Sequence, residues 1–191
     1  NETLFSNEWE KGFYSLYEYN FTRAFQAGFK LQKICPQNPD AYLMEANVWW
    51  WKIISGSDNE DTYEKLNVCL DKALALIPEK KKEAYNNQEL YQIINIYAYK
   101  ARIKLFNGKY LQLIHYLNKC IDFIELSFDR EGDYPYFRLT TGLYLYFVDY
   151  GYENYALSRP YLMFMPDGNM EKGLKFLQQA SQSSNFMIRT E

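Results

Sequence analysis

Histidine occurs once in the 191 residues, at His115, and the three cysteines, Cys35, Cys69 and Cys120, stand far apart. No CxxC is present and no Cys/His set has zinc spacing. A nucleophile–base system needs its base held by a third group. His115 lies in "LQLIHYLNKC" with apolar neighbours and no evident partner, so it reads as a structural or surface histidine. The cysteines read as free and partly buried, with a bridge between two of them left open. A basic field is also lacking. Net charge is −3 and the isoelectric point is about 5.4, which argues against nucleic-acid binding. The one basic run, Lys80-Lys81-Lys82, lies between Glu79 and Glu83 and fits a solvated helix end or turn. No apolar run approaches the roughly 20 residues of a membrane span.

Motifs that would bring a metal or cofactor are equally scarce. "NGK" at 107–109 and "PDGN" at 166–169 fall short of a phosphate-binding GxxxxGK[ST] loop. In "DREGD", Asp129, Glu131 and Asp133 loosely fit the first three ligand positions of a calcium loop. The sixth position is then Tyr134 instead of Gly, and the twelfth is Thr140 instead of Glu, so the template fails. A solvated interhelical turn is the expectation. The sequence thus implies no catalytic set, no metal and no cofactor. Asn1-Glu2-Thr3 and Asn20-Phe21-Thr22 match a glycosylation acceptor, although Asn20 is better used as a helix cap.

What the chain has in excess is rings. Aromatic residues make up 19%, with 19 tyrosines, against an ordinary 48% hydrophobic and 24% charged residues. Area is therefore buried through rings more than through branched aliphatics. Glycine (9) and proline (6) are few and sit at plausible helix ends, while strand-like alternation is rare. Caps at Asn20, Asn38 before Pro39, Asp61 with Glu64, Asp133 and Asn169 mark starts. Pro36, Gly56, Pro78 and Asn107-Gly108 mark stops. The reading is all-α with about eight helices, at 5–18, 20–34, 39–55, 61–77, 83–107, 109–127, 134–150 and 169–183. An extra turn falls near 158–164. The mostly short connections favour antiparallel neighbours.

The second helices of successive pairs start at Phe21, Tyr63, Tyr110 and Met170. Small residues recur in the first helices (Gly12, Ala46, Ala101, Gly142) and in the second (Ala24, Ala73, Cys120, Gly173, Ala180), where they allow close helix approach. With the closing Pro36 and Pro78, this pattern resembles a degenerate tetratricopeptide repeat over nearly the whole chain. Start-to-start intervals of 42, 47 and 60 residues exceed the roughly 34 of the standard repeat. The resemblance implies one helical-repeat domain over 1–191, with pairs at about 5–36, 39–78, 83–127 and 134–184 stacked as a right-handed α-α superhelix. The apolar Phe186, Met187 and Ile188 at the end, where a terminal repeat normally carries a polar cap, give the expectation of a fragment of a longer array. The start at Asn1 leaves room for a removed leader, so the compartment stays open, export included.

The resemblance further implies a concave groove lined by the first helices. Its positions in this sequence include Trp9, Phe13 and Tyr17, then Asn47, Trp50 and Trp51, then Arg102, and finally Tyr146. Trp, Tyr and Arg are enriched at binding hot spots. The expected function is a non-enzymatic scaffold for a protein or peptide partner. A small-molecule or glycan binder is the alternative, since flat rings stack on such ligands. Packing of the rings between elongated helices is the competing account of the same residues. Within "EANVWWWKIISG", Ala46, Trp49, Trp50 and Ile53 have the spacing of a buried stripe. Trp49 is then the core candidate, Trp50 a boundary ring and Trp51 an outward residue beside Asn47.

Overall fold

The computed structural model describes residues 2–156, 159–185 and 188–189. Among them the fold is all-α, without strands: α1 (Glu2–Tyr17), α2 (Phe21–Ile34), α3 (Pro39–Ile54), α4 (Glu60–Ala75), α5 (Asn87–Phe106), α6 (Tyr110–Ile124), α7 (Phe137–Asn154), the single-turn α8 (Arg159–Leu162) and α9 (Met170–Ser181). No described helix is long and apolar enough to cross a membrane. Asn1, Phe186 and Met187, singled out in the sequence, lie outside the described residues, whereas Ile188 is buried. The chain divides into two compact units. One is Asn1–Lys80 with Asn95–Asn118, the other Lys81–Ile94 with Lys119–Glu191.

Local chemistry explains the helix starts. Asn20, Asn38 and Asn169 each accept a hydrogen bond from a backbone N–H of the first turn (Arg23, Asp40 and Lys172), as their positions predict. The start of α4 is a correction. Its cap is Asn59, which accepts from both the N–H and the hydroxyl of Thr62, and not Asp61. The amide reaches an orphan N–H from two residues earlier in the chain, leaving Asp61 free to pair with Lys65. The start of α5 is another correction. Lys82–Ala84 forms a 3-10 turn, and the helix begins behind a reciprocal box in which Glu89 N–H donates to Asn86 and Asn86 N–H donates to Glu89. This box satisfies two end donors at once. Asn86→Ala removes one arm and is expected to cost about 1 kcal/mol, read as a lower melting temperature. Helix α7 starts at Phe137 instead of 134, because Tyr134–Tyr136 are spent on turn hydrogen bonds.

In the first unit α1, α2, α3 and α4 pack as consecutive neighbours, and α1 also touches α3. Small residues set the approach. A Cβ on Gly12 would lie 2.7 Å from the Met44 thioether and 3.3 Å from Ala27, so the missing side chain admits Met44 into the space between three helices. On α4 the buried residues Tyr63, Leu66, Leu70 and Ala73 follow the spacing of a core-facing stripe. Lys100 of α5 is buried and donates to Asp71 of α4.

Tyr63 donates its hydroxyl to Asp58. Burial, reinforced by that carboxylate, pushes the Tyr63 hydroxyl up to about 12. The folded value lies above the unfolded one, so this stabilisation is complete below the unfolded tyrosine value of about 10. It is lost as pH rises through about 12. Tyr63→Phe is expected to flatten the fall of melting temperature across that alkaline window, measured by thermal circular dichroism.

The second unit is organised by α7 and α9. They cross where Gly142 meets Gly173: a Cβ on Gly173 would lie 2.7 Å from the Tyr146 nitrogen and 2.8 Å from the Gly142 carbonyl oxygen. Asp149 accepts a hydrogen bond from Met170 N–H at the start of α9 (2.7 Å). Tyr144 donates its hydroxyl to the Pro166 carbonyl (2.8 Å), tying the preceding loop to α7. Cys120 donates to the Ile94 carbonyl (3.5 Å), and all three cysteines are free.

Candidate functional site

The three consecutive tryptophans of α3 point to different helices. Trp49 faces α2 and α4. Its ring meets Phe25 edge-on at 4.7 Å, with Lys52 and Lys65 ammonium groups 5.0 and 5.1 Å from its centroid. It is half-buried, so the core expectation needs correction. The buried residues of α3 are Ala41, Leu43, Met44, Ala46, Asn47, Val48 and Ile53. Trp49 is instead a wedge between the helices that follow α1 and α3, capped by cations that keep its outer edge in contact with water.

Trp50 and Trp51 face the other way. Trp51 lies between Tyr17, at 5.1 Å, and Tyr19, at 5.7 Å, both edge-on. A neighbouring helix therefore explains it. Trp50 meets Tyr99 at 5.7 Å and Phe106 at 5.5 Å, while the Arg102 guanidinium sits 5.7 Å from the Trp50 ring and 5.3 Å from the Tyr99 ring. Asn47 is buried and accepts a hydrogen bond from the Tyr99 hydroxyl, which fixes that ring. Two ring clusters, one on Trp51 at the end of α1 and one on Trp50 at the last turns of α5, are thus joined through adjacent residues of α3 into a band within one unit.

Two features set this band apart from ordinary packing. Arg102 is exposed, with its guanidinium carbon over two rings and no carboxylate partner among the described residues. A guanidinium over an aromatic face still carries five N–H donors in a rigid fork. Tyr19 is the second feature. It occupies a left-handed turn, φ 57°, where the comparable turns after α3 and α5 use Gly56 and Gly108. A non-glycine residue there costs about 1–2 kcal/mol, and Tyr19 nonetheless stays 64% exposed with its ring edge on Trp51.

The remaining expected site residues are dispersed. Trp9 is half-buried between Phe5 and Phe13. Phe13, at 5% exposure, is core and presents little to a ligand, as does Asn47 at 8%. Tyr17 belongs to the band through Trp51. Tyr146 lies in the other unit, stacked on Tyr150 at 5.9 Å. Sequence reasoning missed Tyr99 and Tyr19. Tyr99 stands three residues before Arg102, on the same helical stripe, and that spacing was the available signal.

The other candidates resolve simply. His115 is exposed, its ring 5.3 Å from Tyr116. In "DREGD", Asp129 adopts φ 63° and the segment is a turn. It is not a fully solvated one: Glu131 is 6% exposed, and its Oε1 has no hydrogen-bond partner among the described residues. No group of three or more metal-ligating side chains is found among the described residues. Burial pushes the Cys69 thiol well above the usual range, with Glu45 beside it adding to the effect. Such a thiol is a poor nucleophile. No protein-family model, curated protein or solved structure matches the chain.

Proposed function

We propose that this chain is a non-enzymatic helical-repeat scaffold of the tetratricopeptide kind, its helix pairs forming a right-handed superhelix that binds an extended segment of a partner protein. The binding surface is the ring band of α1, α3 and α5. The observation that carries this reading is the Arg102 guanidinium over Trp50 and Tyr99 beside the half-exposed Phe106. This group combines a guanidinium fork with large flat apolar area, residue types that are enriched at binding hot spots. Trp51 and the strained Tyr19 extend the same surface.

The test is a selection from a displayed library of random peptides, followed by solution affinities for the selected sequences. Trp50→Ala and Arg102→Ala are each expected to weaken binding by about 2 kcal/mol, roughly thirtyfold. Trp49→Ala, on the opposite side of α3, leaves affinity unchanged. Peptides that bind equally to the Trp50 and Arg102 variants would remove this surface from the account. A glycan array giving Trp50-dependent binders while the peptide selection stays empty would favour the small-ligand reading.

A further inference from the structure

Outside the ring band, each unit carries an exposed apolar feature, and the two have opposite electrostatic surroundings. In the first unit, the turn between α5 and α6 exposes Leu105 (51%), Tyr110 (65%), Leu111 (86%) and Ile114 (41%). Residues 95–118 contain Lys100, Arg102, Lys104 and Lys109 and no Asp or Glu. Of these, Lys100 is paired with Asp71, Lys104 is half-buried with its ammonium 5.9 Å from the Tyr116 ring centroid, and the exposed Lys109 has no carboxylate partner among the described residues. Burial holds the Lys104 ammonium below the usual lysine range, Lys109 and Lys100 add to that shift, and Asp71 opposes it.

In the second unit, the loop after α8 projects Met163 (70% exposed) and Phe164 (91%). Both ends of this loop are fixed. Arg159 donates to the carbonyls of Tyr152 (2.8 Å) and Glu153 (3.2 Å). At the other end Pro166 accepts from Tyr144, and Gly168 lies so close to Asp149 that a Cβ would come within 2.3 Å of the Asp149 nitrogen. Turn hydrogen bonds of Met163, Phe164 and Met165 order the tip itself. The segments that anchor it carry the exposed carboxylates Glu153, Asp167 and Glu171. The cations of the same segments are committed elsewhere, Arg159 to carbonyls and Lys172 over the Phe176 ring at 5.5 Å.

We propose that the Met163-Phe164 tip of one copy docks on the Leu111 face of a second copy, head to tail. The apolar tip would meet an apolar face, and the carboxylates flanking the tip would meet the exposed Lys109. Complementary charge selects this partner over a like-charged surface, and the flanking carboxylates disfavour an anionic membrane. The two surfaces differ, so the contact is heterologous and does not close at two copies unless the rotation happens to. The proposal uses neither Trp50 nor Arg102 and stands apart from the peptide-binding reading.

Sedimentation velocity over a concentration series tests it, with Phe164→Asp and Leu111→Asp as variants and circular dichroism to verify that both fold. The native chain is expected to grow in mean mass with concentration, and less so at high salt. Each variant alone stays monomeric, its apparent association weakened at least about tenfold. The decisive outcome is the equimolar mixture, in which each variant supplies the surface the other lacks: it forms a dimer and nothing larger. A native chain that stays monomeric throughout, variants that still self-associate, or a mixture that remains monomeric each overturns the proposal. So does a monomeric chain that floats with anionic phospholipid vesicles through Phe164.

Discussion

Gly173→Ala is expected to lower the melting temperature by about 2–8 °C, corresponding to roughly 1–2 kcal/mol for a chain of this size. The added methyl would stand 2.7 Å from the Tyr146 nitrogen and 2.8 Å from the Gly142 carbonyl oxygen. Both are backbone atoms, so no rotamer change relieves the overlap, and α9 must move off α7. Overpacking of this kind costs about 1–3 kcal/mol and occasionally more, offset by about 1 kcal/mol of helix propensity gained on leaving glycine. Gly28→Ala is the matched control. Its new methyl would find nothing nearer than 3.6 Å, and the same propensity gain makes it neutral or stabilising by up to about 1 kcal/mol. Scanning calorimetry of the two variants separates close approach from a general intolerance of alanine. Equal effects would mean that the glycine crossing does not set the α7–α9 distance.

Met44→Ala is expected to cost about 2–5 kcal/mol, the range for emptying a fully buried site. Met44 is 0% exposed and fills the gap left by the missing side chain of Gly12. The same geometry predicts a coupling. Alanine at position 12 is tolerated in the native chain only by displacing the flexible thioether. In a Met44→Ala background, that methyl occupies part of the vacated space. The double variant Gly12→Ala/Met44→Ala is therefore less destabilised than the two single effects together, by about 0.5–1 kcal/mol in a denaturant-unfolding cycle. Simple additivity would indicate that the two side-chain volumes do not compete.

These two positions illustrate what a linear reading can reach. Recurrent small residues announced close helix contacts, and Gly12, Gly142 and Gly173 all lie at such contacts. Asn20, Asn38 and Asn169 were legible as caps because capping is settled within three residues of chain. Asn59 was overlooked in favour of Asp61, since two acceptors two residues apart compete and only the backbone turn decides between them. The 3-10 turn at Lys82–Ala84 was absorbed into α5 for a similar reason, because Lys and Glu favour helix wherever no tertiary contact intervenes.

The candidate surface was legible only in part. Trp50, Trp51 and Arg102 were named from their positions in the pattern. The side of α3 on which each tryptophan falls depends on which helices arrive there. Spacing put Trp49 in the core, yet Phe25 and two lysines hold it at a half-buried edge. Tyr99 is 52 residues from Asn47 along the chain, a separation no local rule bridges. The left-handed turn at Tyr19 was hidden because only glycine or asparagine advertises such a conformation in sequence.

The most direct measurement uses the four tryptophans as reporters. A selected peptide is titrated into the labelled protein, and the four indole N–H signals, assigned by single Trp→Phe variants, are followed by NMR. Trp50 and Trp51 shift with the binding isotherm, while Trp49, turned toward α2 and α4, stays in place. Movement of Trp49 with Trp50 and Trp51 unmoved would contradict the assignment of the binding surface to α1, α3 and α5.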